Sequence, residues 1–216
     1  MENYRLQKLT TLIEENHRII SSYNLDEPGW DLIKESPYKN EVIDCYKNLG
    51  GQFQEPFIKA NNWEIVLENE VIILLDDTLH FNRYRLQTLR SEIYSNMPDF
   101  PLEPYRNFCR KNESECIKSG LAGNNWTFPF AEKQFGKAEE KGDFAKNGAP
   151  AWKLRAFSDF LQDVSSLILK KKLLRLSVYQ QLMINRQLYK IGDILMAGSP
   201  EQNKSLQNYI DRKISL

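Results

Sequence analysis

An α+β fold is predicted: a small mixed sheet of about four strands with a central hairpin, surrounded by helices and flanked by helical N- and C-terminal segments. Two runs rich in branched and aromatic residues, "WEIVLEN" and "EVIILLD", lie back to back between Trp63 and Asp76, the pattern of a hairpin. On either side apolar residues recur at helical spacing, from Tyr4 to about Ser22 and again beyond Pro150. With 216 residues, 41% of them hydrophobic and 27% charged, the chain has the composition of a single domain with a sizeable core.

The opening segment, residues 1–49, reads as helical. Leu6, Leu9, Leu12, Ile13 and Ile20 form one apolar face, and shorter helical pieces follow through "WDLIKES" and "NEVIDCYKNLGG", the last ended by two glycines suited to a C-cap. Residues 50–95 hold the strand core. "QFQEPFIKA" alternates until Pro56, which makes it an edge strand or an irregular one. The hairpin comes next, with Asn69 as its turn residue. Its second strand is apolar on both faces, so it belongs at the centre of the sheet or under helices. "RYRLQTLRSEIYS" then predicts a helix launched close to His80, and "YRNFCRKNESECIKSG" another. Residues 120–150 form a long polar, glycine-containing loop with room for one short helix, the length of a flap or mobile segment. In residues 151–216, basic and mainly helical, "WKLRAFSDFLQDVSSLILKKK" is a helix and "LLRLSVY" a strand. A helix through "QQLMINRQLYKIGDILM" follows, and then a last one opened by Ser199 as N-cap and Pro200.

Composition narrows the setting. Cys45, Cys109 and Cys116 form no close pair, which fits a reduced, cytoplasmic protein; the six residues between Cys109 and Cys116 do not make a zinc knuckle, although His80 could join them. No run reaches membrane-span length, "VIILL" being strand-sized, and the polar N-terminus has no apolar signal core. The formal net charge of zero conceals an asymmetry: residues 1–150 carry 18 Lys and Arg against 24 Asp and Glu, residues 151–216 carry 11 against 5. A basic C-terminal third can meet DNA phosphates or dock on acidic protein surface.

Chemistry gathers at the end of the second hairpin strand, where Asp76, Asp77, His80, Arg83 and Arg85 fall within ten residues. If the hairpin sets Glu64 opposite Leu74, Asp76 is its diagonal neighbour on the same face, about 7–8 Å away between Cα atoms. Two convergent carboxylates at a sheet rim are the oxygen ligands that Mg²⁺ or Mn²⁺ requires. The stretch from Asn40 to Leu89 resembles the core of very-short-patch-repair endonucleases in the restriction-endonuclease-like PD-(D/E)XK superfamily. Glu41 matches that family's helix glutamate, Phe53 its strand phenylalanine and Glu64 its first acid, followed in order by Asp76, His80, Arg83 and Leu89. Leu74 stands where the family has a glutamate, Asp77 where it has a glycine, and the usual lysine after the second acid is missing.

The resemblance implies a metal-dependent DNA endonuclease or nuclease-like DNA-binding protein, of the kind used in restriction, repair or phage defence. Glu64 and Asp76, with Asp77, would hold Mg²⁺ or Mn²⁺; His80 would be the general base or orient the phosphate; Arg83, Arg85 and Lys153 would bind flanking phosphates. The competing expectation is a catalytically inactive protein of the same fold that binds a protein partner or forms a homodimer. In that case the acids and arginines at the strand end pair with one another. A third expectation, an all-helical regulatory domain, makes the hairpin incidental.

Overall fold

Strand β3 (Ile72–Asp76) is buried along its whole length, as an apolar run with no polar face demands. It occupies an inner position in a four-stranded sheet of order β1-β2-β3-β4, with β1 at Ile19–Ile20, β2 at Ile65–Leu67 and β4 at Leu173–Ser177. The first three strands run antiparallel and β4 is parallel to β3, so the fold is α+β with a mixed sheet. The computed structural model describes residues 2–22, 25–121 and 125–215. The chain divides into a sheet unit, Met1–Leu25, Trp63–Asp77 and Lys171–Leu216, and a helical unit, Asp26–Asn62 and Thr78–Lys170.

In the sheet unit the hairpin pairs Ile65 with Ile73 and Val66 with Ile72, a register that continues to Glu64 opposite Leu74. Asn69 lies in the hairpin loop, but Glu70 takes the left-handed conformation there (φ 64°). Helix α1 (Glu2–Glu14) packs with α8 (Ile191–Ala197) and α9 (Pro200–Ser215). Its apolar residues Leu9, Leu12 and Ile13 are buried, and so are Leu206, Ile210 and Ile214 of α9. Ser199 caps α9 as expected, its Oγ accepting from Gln202 N at 3.3 Å while Gln202 Oε1 accepts from Ser199 N at 2.8 Å.

Two expectations for this unit are corrected. The first helix stops at Glu14 rather than near Ser22, because Ile19 and Ile20 pair with Leu67 and Val66 as strand β1. "QQLMINRQLYKIGDILM" is not one helix: β5 (Gln181–Ile184) and β6 (Gln187–Lys190) form a separate hairpin and only Ile191–Ala197 is helical. Asn185 and Arg186 both have positive φ, 51° and 64°, the signature of a two-residue type I′ turn. That turn twists the chain back before a helical turn closes, so the high helix propensity of Gln, Leu and Met is overridden.

The helical unit contains α2 (Trp30–Ile33), α3 (Lys39–Asn48), α4 (Arg83–Thr88), α5 (Leu102–Gly120), α6 (Pro129–Phe135) and α7 (Pro150–Leu169). The stretch after Gly51 forms no edge strand; Lys59 makes only an isolated bridge with Gly29. Helix α4 is shorter than the sequence predicts, and the chain from Glu92 to Asn96 tightens into a 3-10 helix capped by Ser91. Helix α6 is the short helix expected between residues 120 and 150, of which 122–124 lie outside the described residues. Helix α7 is the axis of the unit, buried on nearly every side. Among the described residues, no helix is long and apolar enough to cross a membrane.

The type I′ turn yields a stability test. Arg186 carries a Cβ in a left-handed conformation that only glycine adopts without penalty. Arg186→Gly is expected to stabilise the chain by about 0.5–1 kcal/mol, read as a higher urea midpoint; an unchanged or lower midpoint contradicts the turn assignment.

Candidate functional site

Helix α7 places two carboxylates, Asp159 and Asp163, one turn apart, and both are 0% exposed. An isolated charge in such surroundings would be prohibitively unfavourable, so each needs partners. Helix α4 delivers the main one. Asn82 is its N-cap: Oδ1 accepts from Tyr84 N at 3.0 Å and Arg85 N at 3.2 Å, while Nδ2 donates to Leu79 O at 3.0 Å. This fixes the start of α4 with Arg85 turned into the core. The Arg85 guanidinium donates through Nη2 to Asp163 Oδ2 at 2.8 Å, and through Nη1 to Tyr94 Oη at 3.1 Å and Thr88 Oγ1 at 3.2 Å. Tyr94 Oη in turn donates to Asp163 Oδ2 at 2.7 Å. The Nε of Arg85 lies 3.9 Å from Asp159 Oδ2.

His80 closes the network. It ends a one-turn 3-10 helix, Thr78–His80, and its Nδ1 lies 2.9 Å from Asp159 Oδ2. An ionised Asp159 accepts this contact from an Nδ1–H. The His80 side chain is 11% exposed.

The residues singled out from the sequence fall in both units. In the sheet unit, Glu64 Oε2 accepts from Leu75 N at 2.7 Å, so its carboxylate reaches β3 one residue before Asp76. Asp76 ends β3, and its Oδ1 accepts from Arg175 Nη1 at 2.6 Å with both residues 2% exposed. Arg175 is the β4 residue directly beside Leu74 and diagonal to Asp76. Asp77 is half-buried. Neither Glu64 nor Asp77 belongs to a cluster of three or more His, Cys, Asp or Glu ligand atoms within 4.8 Å among the described residues.

In the helical unit, Arg83 grips Glu113 in a two-point contact, Nε to Oε1 at 2.8 Å and Nη2 to Oε2 at 3.0 Å, and its guanidinium lies 3.9 Å from the Phe144 ring centroid. That hydrogen-bonded carboxylate raises the Arg83 pKa further. Lys153 is buried, donating to Asn147 Oδ1 at 2.6 Å with its ammonium 5.5 Å from the Tyr84 ring, and burial lowers its pKa. Glu41 accepts from Ser91 Oγ at 2.5 Å and from Glu92 N at 3.3 Å, fastening α3 to the start of the 3-10 helix. The thiols of Cys45, Cys109 and Cys116 are all buried and form no disulfide.

Asp159, Asp163, Tyr94 and Arg175 were not anticipated. The one signal for them was two acids four residues apart inside a helix otherwise apolar enough to be a core element.

A family described as being of unknown function, DUF7255, matches residues 44–197 by its model, a span that includes β3, His80 and all of α7. No curated protein matches, and no solved structure matches.

Two outcomes test this electrostatic arrangement. Removing one partner leaves a buried charge unmatched, so Arg85→Met is expected to lose about 3–5 kcal/mol in urea unfolding, and the double variant Arg85→Met/Asp163→Leu to recover much of it. A double variant no more stable than the single one removes the argument. For Lys153 the folded pKa lies below the unfolded one. At pH values under the folded pKa the buried charge is a full penalty; between the folded pKa and 10.5 the unfolded chain binds more protons and stability rises with pH. Lys153→Met is therefore expected to melt higher at pH 7, by about 2–4 °C for each kcal/mol gained, with the advantage shrinking towards pH 10.5. A pH-independent gap contradicts it.

Proposed function

The chain belongs to the DUF7255 family, of unknown function, and we propose that it is a metal-dependent phosphodiesterase acting on DNA, with His80 as its working group and Asp159 holding that imidazole in place. One observation carries this reading: the 2.9 Å contact between His80 Nδ1 and a completely buried Asp159. A buried carboxylate that orients a part-exposed imidazole is the arrangement by which a histidine becomes an efficient base near neutral pH. Buried clusters of titratable groups are expensive to maintain and concentrate at functional sites. Glu64 and Asp76 are engaged by Leu75 N and Arg175, so the reading rests on the helical unit alone.

Asp159 would offer a divalent ion a carboxylate oxygen, a hard donor of the kind Mg²⁺ and Mn²⁺ take, which leaves the His80 lone pair for proton transfer. Such an ion would supply positive charge to the phosphate. His80 would take a proton from the attacking water through Nε2, and Asp159 would stabilise the imidazolium that results. The reduced, buried thiols fit a cytoplasmic setting and a role in restriction, repair or defence against foreign DNA.

A second reading has its own support. Arg83 and Arg85, the arginines expected to bind phosphate, are both committed to carboxylates, Arg83 to the part-exposed Glu113 and Arg85 to the buried Asp163. This favours a protein that keeps a nuclease-like sheet and binds a protein partner without cleaving DNA.

Incubation with plasmid and single-stranded DNA decides between them. With Mn²⁺, cleavage is expected, and His80→Ala and Asp159→Asn are expected to slow it by about 10²–10⁴-fold. Mn²⁺ is also expected to raise the melting temperature of the wild-type chain. If the wild type neither cuts DNA nor responds to Mn²⁺, the phosphodiesterase reading is abandoned in favour of the interaction protein.

A further inference from the structure

Phe128 and Phe130 are 36% and 45% exposed, unlike most aromatic rings of the helical unit, and both border a cavity of about 180 Å³. Phe128 immediately precedes α6 and Phe130 lies in its first turn. Ala151, Leu154 and Arg155, from the first turns of α7, also line the cavity. Lys59 and Asn61 complete the lining from a segment strapped to α7: Asn61 N donates to Ser158 Oγ at 2.8 Å, and Asn61 O accepts from Gln162 Nε2 at 2.9 Å.

The lining holds two cationic side chains, two amides and no carboxylate. Lys59 Nζ meets Glu27 at 2.8 Å on the exposed surface. Exposed rings beside a cation and amide groups match a ligand with a flat aromatic face, hydrogen-bonding edges and an attached anion. Ser158 and Asp159 are consecutive on α7, so the cavity and the His80–Asp159 pair use neighbouring faces of one helical turn.

We propose that this cavity is a nucleotide subsite that takes one unstacked base of single-stranded DNA, the rings of Phe128 and Phe130 stacking on the base and Arg155 meeting its phosphate. The ligand class rests on the phosphodiesterase reading above; the cavity and its lining do not. A base inside a duplex cannot present its face to such a cavity, which is why a single strand is the fitting form.

Binding is measured with the full chain in EDTA, by fluorescence anisotropy of a labelled oligothymidylate, so that cleavage plays no part. The wild type is expected to bind the single strand at least tenfold more tightly than a duplex of equal length. Phe128→Ala/Phe130→Ala is expected to weaken binding by about 10–100-fold, the loss of one or two stacked bases. Arg155→Ala is expected to lower the salt slope by about one. Both rings are already part-exposed, and circular dichroism checks that each variant is folded. As a measurement that needs no variant, ultraviolet cross-linking of a bromouracil oligonucleotide to the wild type is expected to label Phe128 or Phe130. Unchanged binding by folded variants, or cross-links confined to other residues, overturns the proposal. Thymidine monophosphate binding as tightly as the oligonucleotide overturns the strand and leaves a free-nucleotide site. Cleavage that persists with Phe variants unaffected sinks the subsite while sparing the phosphodiesterase reading; ring-dependent binding without cleavage does the reverse.

Discussion

Asp159 and Asp163, two carboxylates shut away from water on one helix, set the terms for the helical unit. Removing such groups from solvent costs several kcal/mol each unless charge and hydrogen bonds are returned to them. The single charge of Arg85 is shared between Asp163, at 2.8 Å, and Asp159, at 3.9 Å. Tyr94 adds a hydroxyl to Asp163, and His80 adds a ring nitrogen to Asp159. These demands explain local features that would otherwise look unrelated: why Asn82 caps α4 so tightly, why α4 is only six residues long, and why the chain from Glu92 to Asn96 turns Tyr94 inward. The contact of His80 Nδ1 with Asp159 ties the packing of the unit to its proposed chemistry.

The sheet unit meets the same constraint with a single pair. Asp76 is carried to the end of a strand that is apolar on both faces, and Arg175 reaches it diagonally from the parallel neighbour. The family resembled by the sequence places a second carboxylate where Leu74 stands. With a second acid, a divalent ion is the natural counter-charge; with leucine there and arginine alongside, the guanidinium can serve instead. Asp76 is thus engaged by Arg175, and the proposed function draws on the imidazole of the helical unit instead.

Much of the fold was legible because long elements repeat their signal. The β2–β3 hairpin, α5, α7 and α9 each carry enough apolar residues in one period to be read without knowing what they touch. Strand β1 was not, because two isoleucines following a helix continue its apolar face and become a strand only through pairing with Val66 and Leu67. The β5–β6 hairpin was missed because its residues favour helix locally, while the turn at Asn185 and Arg186 lacks the glycine that advertises a type I′ turn. In the site, His80 stood out as a rare residue at a strand-to-helix junction. Asp159 and Asp163 did not, since acids spaced four apart on a helix ordinarily mark its solvent face. Arg83, Arg85 and Lys153 were visible as cations, but a sequence does not say whether a cation points outward or answers an acid far along the chain.

That ambiguity has a physical reading. The charges most densely clustered in the sequence, around Asp76 to Arg85, are for the most part spent inside the protein, because a buried acid recruits the nearest available arginine and both then vanish from the surface. Surface recognition must draw on groups that no interior acid has claimed in this way. Exposed aromatic rings are a better marker of it, since a phenylalanine in water gains nothing from the fold that a polar residue would not. Phe128 and Phe130 are such rings, whereas the conspicuous acid-and-arginine run is not. In this chain the dense charge motif marks where the interior is balanced, and the sparse aromatic one marks where a ligand is met.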